Sequence, residues 1–350
     1  MAVKSAPLSQ SSFLQHEEAI LTRLQHCPHL IRCFGHDLAC FDAKEQSYNL
    51  FLEYASGGTL SDVVRRAGGS LPETTVRRFT RSLLEGLRSI HAEGYVHCDI
   101  KLQNILVQSD GDVRIADFGL AKKTGDKLDD CPRLRGTPIY MSPESVARNE
   151  YEAPADIWSL GCAVVEMASG RPAWRFSGHG DVWALLLRIG FGDELPEIAV
   201  ELSDEGKDFL RRSFAKDPDK RWTAEMLLGH PFVADSTSFD DDNDDADAVL
   251  PSFVSGTADA GCCTPVRASP KGILDFSRWV SPGSPSPSTC SAASLESLTP
   301  SPGCCYASPT ERISDLATGQ GRPDWSCFSS VGFWIDVRQV GLVPKSEDSP

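Results

Sequence analysis

No run of about 18 apolar residues occurs in the 350-residue chain, so the sequence predicts no membrane-spanning helix. Acidic residues outnumber basic residues. The chain has 34 Lys and Arg against 49 Asp and Glu, a formal charge of −15 that offers no support for nucleic-acid binding. The 12 cysteines show no regular metal-ligand spacing. These absences argue against a membrane protein, a nucleic-acid binder and a zinc framework.

One stretch of the chain concentrates oxygen-bearing side chains that suit phosphate chemistry. Asp99 and Asn104 are five residues apart, and Asp117, which opens an Asp-Phe-Gly triplet, follows Asn104 by thirteen. The segments 105–107 and 113–115 between them are predicted to form a hairpin of short strands, which would bring the three side chains together. Phosphoryl transfer requires such convergence, because it is catalysed mainly by positioning and by metal neutralisation of phosphate charge.

The stretch 96–104 (Val-His-Cys-Asp-Ile-Lys-Leu-Gln-Asn) and the Asp-Phe-Gly triplet resemble the catalytic loop and metal-binding motif of protein kinases. This resemblance implies that Asp99 accepts the proton of the substrate hydroxyl, and that Asn104 and Asp117 hold Mg²⁺, a hard cation that prefers oxygen ligands. Lys101 and Thr137 match the serine/threonine kinase pattern, in which the lysine neutralises the transferring phosphate. The expected catalytic residues are therefore Asp99, Lys101, Asn104 and Thr137, and the expected cofactors are ATP and Mg²⁺.

Three charged residues further along match scaffold positions of the same family. Glu144, at the end of the stretch 136–144, is expected to pair with Arg221, because a guanidinium can bind both oxygens of a buried carboxylate. Asp156 opens a predicted apolar helix and is expected to anchor the backbone of the catalytic loop.

Another helix is predicted from residue 71 to 91, with apolar residues at helical spacing: Phe79, Leu83, Leu84, Leu87 and Ile90.

The segment Ala2-Val3-Lys4-Ser5-Ala6 resembles the kinase strand whose lysine pairs with the α- and β-phosphates of ATP. Lys4 is expected to bind nucleotide, with Glu17 as its ion-pair partner and Glu18 as an alternative one residue along. Glu17 lies in a predicted helix whose inward apolar face consists of Ile20, Leu21 and Leu24. The other interpretation of Lys4 is that of a solvated, mobile lysine near a terminus.

A complete kinase carries a Gly-x-Gly-x-x-Gly loop on two strands before this lysine, and no such loop occurs in the 350 residues. We therefore expect an N-lobe that is truncated, with the first two strands and the Gly-rich loop absent. The edge of the Lys4 strand would then be exposed, and ATP would bind weakly. An alternative start of the chain would account for the difference.

The run 48–58 alternates like a strand and ends in glycines, which resembles the linker between kinase lobes. Leu52 is the expected gatekeeper, and the carbonyl of Glu53 and the amide of Ala55 are expected to meet the adenine edge. Ala2 and Leu106 are expected to form the apolar roof and floor of the adenine slot. The apolar positions among these are also compatible with ordinary core packing.

Cys98 precedes Asp99, at a position where the family usually has an arginine that pairs with a phosphate on the activation segment. We therefore predict that phosphorylation of this segment is dispensable and that Thr124→Ala retains activity. Cys98 is interpreted as a packed residue rather than a reactive thiol.

Within the family, the segments 2–6, 25–31, 97–99 and 136–144 resemble the short, MEKK-like mitogen-activated protein kinase kinase kinases of plants, over residues 1–233. The resemblance implies a Ser/Thr kinase that phosphorylates a MAP kinase kinase in a stress or hormone cascade. It also implies a cytoplasmic location, with the nucleus as an alternative, and reduced cysteines. The other candidate function, favoured by the missing Gly-rich loop, is a catalytically weak or inactive kinase-fold scaffold or interaction protein.

The expected architecture is α+β and bilobal, with an N-lobe over residues 1–54, a C-lobe over 55–233, and a largely disordered regulatory tail over 234–350. The tail is rich in Ser and Pro and holds 16 acidic against 7 basic residues. Its apolar islands, 272–280 and 325–343, are predicted docking segments, with packing on the kinase domain as the alternative. Nine serines and threonines of the tail precede proline, as proline-directed kinases require: Thr264, Ser269, Ser281, Ser284, Ser286, Thr299, Ser301, Ser308 and Ser349.

Overall fold

The structure is a computed structural model that describes residues 1–42, 45–126, 134–175 and 182–234. Apart from Ala234, the tail lies outside the described residues. This applies to its expected disorder, its nine Ser/Thr-Pro positions and its two apolar islands. Among the helices of the described part, none has both the length and the apolar composition needed to cross a membrane.

The first part of the chain folds into an antiparallel sheet with one helix beside it. The strands are β1 Ala2–Pro7, β2 Cys33–Asp42 and β3 Glu45–Leu52, in the order β1-β3-β2, and the helix is α1 Ser12–Arg23. Along β1, buried and half-buried residues alternate, because successive side chains of a strand point to opposite faces. Lys4 therefore lies on the same inner face as Ala2 and Ala6.

The strand β3 occupies the centre of this sheet. Its residue Leu52 lies opposite Ala2 of β1 on one side and opposite Cys33 of β2 on the other. On its outer side β1 pairs with no strand of the described residues.

The helix α1 places Glu17, rather than Glu18, on its inner face. Glu17 is 0% exposed, and it shares that face with apolar side chains three, four or seven positions away: Leu14, Ile20, Leu21 and Leu24. Glu18 lies one position round the helix and instead contacts the hydroxyl of Tyr48 and Nδ1 of His36. The predicted apolar face of this helix is thus confirmed.

The remaining described residues are mostly helical. The helices are α2 Leu60–Arg66, α3 Glu73–Ala92, α4 Pro143–Arg148, α5 Ala153–Ser169, α6 Val182–Phe191, α7 Asp204–Ser213, α8 Ala224–Leu228 and α9 Pro231–Ala234. The strands are β4 Gly58–Thr59, β5 Tyr95–Val96, β6 Ile105–Val107, β7 Val113–Ile115 and β8 Lys122–Lys123. β4, β6 and β7 form one small sheet, and β5 pairs with β8. This mixture of helix and sheet is the predicted α+β class.

Two helices, α3 and α5, make up the centre of the helical part. The predicted apolar stripe of α3 is buried, and no member is more than 1% exposed: Phe79, Leu83, Leu84, Leu87 and Ile90. α5 is buried continuously from Ala155 to Ala168, as expected of a helix surrounded by other elements. It begins at Ala153 with Pro154 in its first turn, where the missing amide hydrogen costs no helical hydrogen bond.

The strands β6 and β7 form the predicted hairpin, with Ile105 opposite Ile115. Asn104 immediately precedes β6, and Asp117 follows β7 by two residues, so both lie at the open end of the hairpin. The amide of Ala116 donates a hydrogen bond to the carbonyl of Asn104 at 2.8 Å. This backbone contact holds the two segments together.

Candidate active site

The loop that follows β5 is fixed to α5 by one buried carboxylate. Asp156, in the first turn of α5, accepts hydrogen bonds from the amides of His97 (2.8 Å) and Cys98 (2.9 Å) and contacts His91 Nε2 at 2.9 Å. Burial would raise the pKa of Asp156, but its hydrogen bonds and the charge of His91 hold that pKa below its ordinary value of 3.8. Asp156 thus anchors the loop backbone as predicted.

A buried imidazole connects this loop to the segment that carries Asp117. His97 is 0% exposed, and its Nδ1 accepts a hydrogen bond from the amide of Asp99 at 3.2 Å. Its Nε2 therefore carries the proton and donates it to the carbonyl of Ala116 at 3.1 Å. The ring also packs edge-on against Phe118, with 4.8 Å between centroids. One side chain thereby fixes the backbone on both sides of the site.

The carboxylate of Asp99 is surrounded by hydrogen-bond donors. Oδ2 accepts from Lys101 Nζ at 2.7 Å and from Asn104 Nδ2 at 3.0 Å. Oδ1 accepts from the amide of Thr137 at 3.0 Å and from its hydroxyl at 2.8 Å. The same hydroxyl accepts a hydrogen bond from Lys101 Nζ at 2.9 Å, which closes the cluster. The four residues expected to be catalytic therefore lie in one hydrogen-bonded group.

Thr137 comes this close to Asp99 because the preceding residue is glycine. Gly136 has φ +96°, and a Cβ atom there would lie 2.4 Å from the carbonyl oxygen of Cys98. Any other residue would strain the backbone and push the two segments apart.

Asn104 and Asp117 present oxygens that are free to bind a cation. Asn104 Nδ2 donates to the carbonyl of Asp99 at 2.9 Å as well as to its Oδ2, so both of its N–H groups are used. Within the described residues, Asn104 Oδ1 and Asp117 Oδ2 have no hydrogen-bond partner. The Asp117 side chain is 37% exposed, so its free oxygen is accessible. One amide and one carboxylate oxygen fit Mg²⁺, which takes oxygen ligands and keeps several waters.

Lys4 bridges two carboxylates on opposite sides of the site. Its Nζ lies 2.9 and 3.0 Å from the oxygens of Glu17 and 3.1 Å from Asp117 Oδ1. Burial would lower the pKa of Lys4, but the charges of Asp117 and Glu17 outweigh burial and raise it, so the ammonium stays protonated. The charge of Lys4 in turn outweighs burial at Asp117 and lowers the pKa of that carboxyl. The predicted ion pair forms with Glu17, and the Glu18 alternative is wrong.

The connection between β3 and β4 has a free acceptor and a free donor two residues apart. The amide of Glu53 donates to the carbonyl of Arg32 at 2.9 Å, and the Glu53 carboxylate pairs with Arg114. In the described part of the chain, the carbonyl of Glu53 and the amide of Ala55 make no hydrogen bond. Both groups therefore remain available to the edge of a planar heterocycle.

The apolar residues expected around the adenine are placed at the same end of the sheet. Ala2 and Leu52 are opposite each other in the β1–β3 register and are 5% and 1% exposed. Leu106 lies on β6 opposite Thr59 of β4 and is half-buried against the core. The burial of these residues fits both adenine contact and core packing.

The predicted pair of Glu144 and Arg221 is present and buried. Arg221 Nη1 and Nη2 lie 2.6 and 3.0 Å from the two carboxylate oxygens of Glu144. The guanidinium also lies over Trp158, 5.1 Å from the ring centroid, and donates to the carbonyl of Pro154 at 2.7 Å. Arg221 lies in the connection between α7 and α8, so these contacts tie α4 and the beginning of α5 to that connection and support the segment that contains Thr137.

Cys98 is a packed residue, as interpreted from the sequence. It is 9% exposed and clusters with Val96 and Tyr151. Burial raises the pKa of its thiol well above the ordinary value, which disfavours the reactive thiolate.

Several residues that shape the site have no signal in the sequence. His91 precedes its partner Asp156 by 65 residues, and nothing in the local pattern of α3 distinguishes it from a surface histidine. His97 and Gly136 lie inside the motifs described above, but their contacts depend on how two distant segments meet. The Glu53–Arg114 ion pair is likewise a product of the tertiary fold.

A small sheet with one helix is joined to a larger helical part. Between the two lie Lys4, Glu17, Asp99, Asn104 and Asp117. This arrangement defines a protein kinase. A family model described as protein kinase domain matches residues 1–233.

Mitogen-activated protein kinase kinase kinase 20 of Arabidopsis thaliana is 45% identical over 342 residues, covering 97% of this chain and 91% of the relative. Mitogen-activated protein kinase kinase kinases 17 and 18 of the same plant are 41% and 40% identical over 235 and 238 residues. These two alignments each cover 67% of this chain and cover 62% and 69% of the relatives. The chain belongs to the protein kinase family, among the plant MEKK-like serine/threonine kinases.

Proposed function

We propose that this chain transfers the γ-phosphoryl group of ATP to a serine or threonine hydroxyl of a MAP kinase kinase. The names of the three relatives reported above support that substrate class. The observation that carries the proposal is the closed hydrogen-bonded group of Asp99, Lys101, Asn104 and Thr137 beside the Lys4–Asp117 pair.

Asp99 is the proposed base. The acceptor hydroxyl oxygen forms the new bond to the γ-phosphorus, its proton passes to the Asp99 carboxylate, and the β–γ bridging oxygen leaves with ADP. Lys101 is already 2.7 Å from Asp99, so its ammonium lies where charge develops on the transferring group. Thr137 holds Oδ1 through two hydrogen bonds and thereby fixes the direction of the carboxylate.

Asn104 and Asp117 are the proposed metal ligands, through Asn104 Oδ1 and Asp117 Oδ2. Mg²⁺ bound there would neutralise phosphate charge. Asp117 has φ +69°, a left-handed conformation that is uncommon for a non-glycine residue and typical of functional sites. Asn104 is oriented by its two donated hydrogen bonds, so its oxygen is fixed in direction.

Lys4 and the segment 53–55 are the proposed nucleotide-binding groups. The Lys4 ammonium, held by Glu17, pairs with the α- and β-phosphates, and the Glu53 carbonyl and Ala55 amide bind the adenine edge. Ala2 and Leu106 enclose the adenine, with Leu52 as gatekeeper. We further propose a cytoplasmic location, with the nucleus as an alternative, and phosphorylation of the Ser/Thr-Pro positions of the tail by a proline-directed kinase.

The test is transfer of radiolabelled phosphate from ATP to a MAP kinase kinase. We expect Asp99→Asn to reduce the transfer rate by at least about 10²-fold, as loss of a catalytic base does. Asp110→Asn is the matched control, because Asp110 is an exposed acid in the turn between β6 and β7. Equal transfer by wild type and Asp99→Asn would contradict the proposal and favour the kinase-fold interaction protein.

A further inference from the structure

The carboxylate of Glu152 binds the beginning of the activation segment, the stretch from Asp117 to Glu144. Glu152 is the residue immediately before α5. Its Oε1 lies 2.9 Å from Lys122 Nζ on β8. The amide of Gly125 donates to the same carboxylate, at 3.2 Å to Oε1 and 3.4 Å to Oε2. One anion therefore satisfies an ammonium and a turn amide at once.

Lys122 is buried for a lysine, with 5% of its side chain exposed. Besides Glu152 it donates to the carbonyls of Lys123 at 2.9 Å and Asp126 at 3.3 Å. Neither carbonyl carries a full charge, so Glu152 is the anion that balances this ammonium. A buried cation without such a partner is strongly unfavourable.

The far end of the activation segment is fixed to the residue next to Glu152. The amide of Arg135 donates to the hydroxyl of Tyr151 at 2.7 Å. Arg135 Nη1 donates to the carbonyl of Leu120 at 2.9 Å, which ties the end of the segment back to its beginning. Arg135 is followed by Gly136 and Thr137, and Thr137 holds the Asp99 carboxylate. The dipeptide 151–152 therefore supports both ends of a segment that shapes the catalytic group.

We propose that Glu152 is a built-in anion that holds the described beginning of the activation segment, residues 117–126, in place for catalysis without phosphorylation. It is a positioning residue, since it acts through Lys122 and Gly125 and touches neither substrate nor nucleotide. Cys98 supplies no cation where the family usually has an arginine, and the two cations near it are already engaged, Lys122 by Glu152 and Arg135 by the carbonyl of Leu120. The inference rests on the proposed function and deepens it by assigning how the site is kept competent.

The first test removes phosphate and leaves the sequence intact. The full-length protein is treated with a phosphatase, mass spectrometry verifies an unmodified activation segment, and the transfer rate to a MAP kinase kinase is measured. We expect kcat and KM to stay within about twofold of the untreated protein. Loss of activity on dephosphorylation would overturn the inference, whatever the variants show.

The second test removes the charge of Glu152. Glu152→Gln keeps the shape but leaves Lys122 without its anion, so we expect about a tenfold loss in kcat/KM for the protein substrate, equivalent to ~1.4 kcal/mol. KM for ATP should not change, because Glu152 makes no contact with Lys4 or Asp117. A role limited to fold stability would lower only the fraction of folded enzyme, which urea denaturation measures, and kcat/KM per folded enzyme would stay at the wild-type value.

The control is Glu150→Gln, two residues earlier, whose carboxylate makes an exposed pair with Arg148 at 2.7 Å. Reversal of the pair, with Lys122→Glu and Glu152→Lys together, should restore part of the activity lost in each single variant. If Glu152→Gln retains wild-type kcat/KM while Asp99→Asn loses transfer, this inference is wrong and the proposed function stands. If neither substitution affects transfer, the proposed function itself is wrong.

Discussion

Close ion pairs hold the residues that surround the reacting group. Lys4 serves Glu17 and Asp117 at the same time, all within 3.1 Å. Removing Lys4 would leave the Glu17 carboxylate buried without its cation, at a cost of about 3–5 kcal/mol. The Lys4 ammonium therefore stabilises the site before nucleotide binds and can pair with phosphate once nucleotide is bound.

Asp156 provides a pH-dependent prediction at the residue scale. Its lowered pKa means that its ionised form stabilises the fold, and this stabilisation is complete above its ordinary pKa of 3.8. Asp156→Asn places an amide donor against the amides of His97 and Cys98, so we expect a loss of about 3–5 kcal/mol in the free energy of unfolding at pH 7.

Urea denaturation at several pH values checks this. As pH falls below 3.8 through the lowered pKa, the wild-type carboxylate becomes protonated and the difference between the two proteins should shrink. A difference that stays constant from pH 7 to pH 3 would contradict the assignment. Asp219→Asn, at an exposed position in a short turn, is a suitable control.

At the scale of elements, one bidentate pair, Glu144 with Arg221, links α4 to the connection between α7 and α8. Arg221→Met should lower the free energy of unfolding by about 3–5 kcal/mol, because Glu144 would remain buried without a partner. Arg221→Lys keeps the charge but cannot bind both oxygens, so an intermediate loss is expected. Urea denaturation measures both, with the exposed Arg148→Lys as control. Equal stability of Arg221→Met and wild type would refute the role assigned to the pair.

Periodicity in the sequence is enough to predict the long elements but not the short ones. The apolar stripe of α3 and the alternation that begins at residue 48 are repeated over several turns or residues, and α3 and β3 formed where these patterns predicted a helix and a strand. β4, β5 and β8 have two residues each, too few for any periodicity to show. The partner of Lys122 on β8 is 30 residues away, so no local pattern indicates Glu152.

The residues of the candidate site also divide into those that the sequence predicts and those that it does not. Asp99, Asn104, Asp117, Lys4 and Glu17 stand in motifs with fixed spacing, and the structure brings them together. The groups that hold them, His91, His97 and the backbone at Gly136, are positioned by contacts between segments distant in sequence. Such contacts arise only when the whole fold is assembled, which is why the sequence indicates the reacting groups better than their supports.

At the scale of the whole molecule, the 350 residues contain no Gly-rich loop to cover phosphates. Fusing two strands with a Gly-x-Gly-x-x-Gly loop before Ala2 should pair with the free edge of β1 and add backbone amides that bind phosphate. We expect KM for ATP to fall by about tenfold, or ~1.4 kcal/mol of binding. The matched control has the three glycines replaced by alanine. An unchanged KM in the fused protein would show that the 350 residues already bind ATP fully.

The alignments with the three relatives cover different lengths of this chain. The alignment with mitogen-activated protein kinase kinase kinase 20 spans 342 residues and thus includes most of the tail, whereas those with relatives 17 and 18 span 235 and 238. The tail is therefore shared with at least one relative, as a feature additional to the kinase domain.

Single-turnover transfer from radiolabelled ATP, with ATP binding measured on the same samples, tests the central claim most directly. Asp99 makes no hydrogen bond to Lys4, Glu53 or Ala55, the groups assigned to the α- and β-phosphates and the adenine, so Asp99→Asn should bind ATP as wild type does while its transfer rate falls by at least about 10²-fold. Transfer by Asp99→Asn at the wild-type rate, with ATP equally bound in both proteins, would contradict the account.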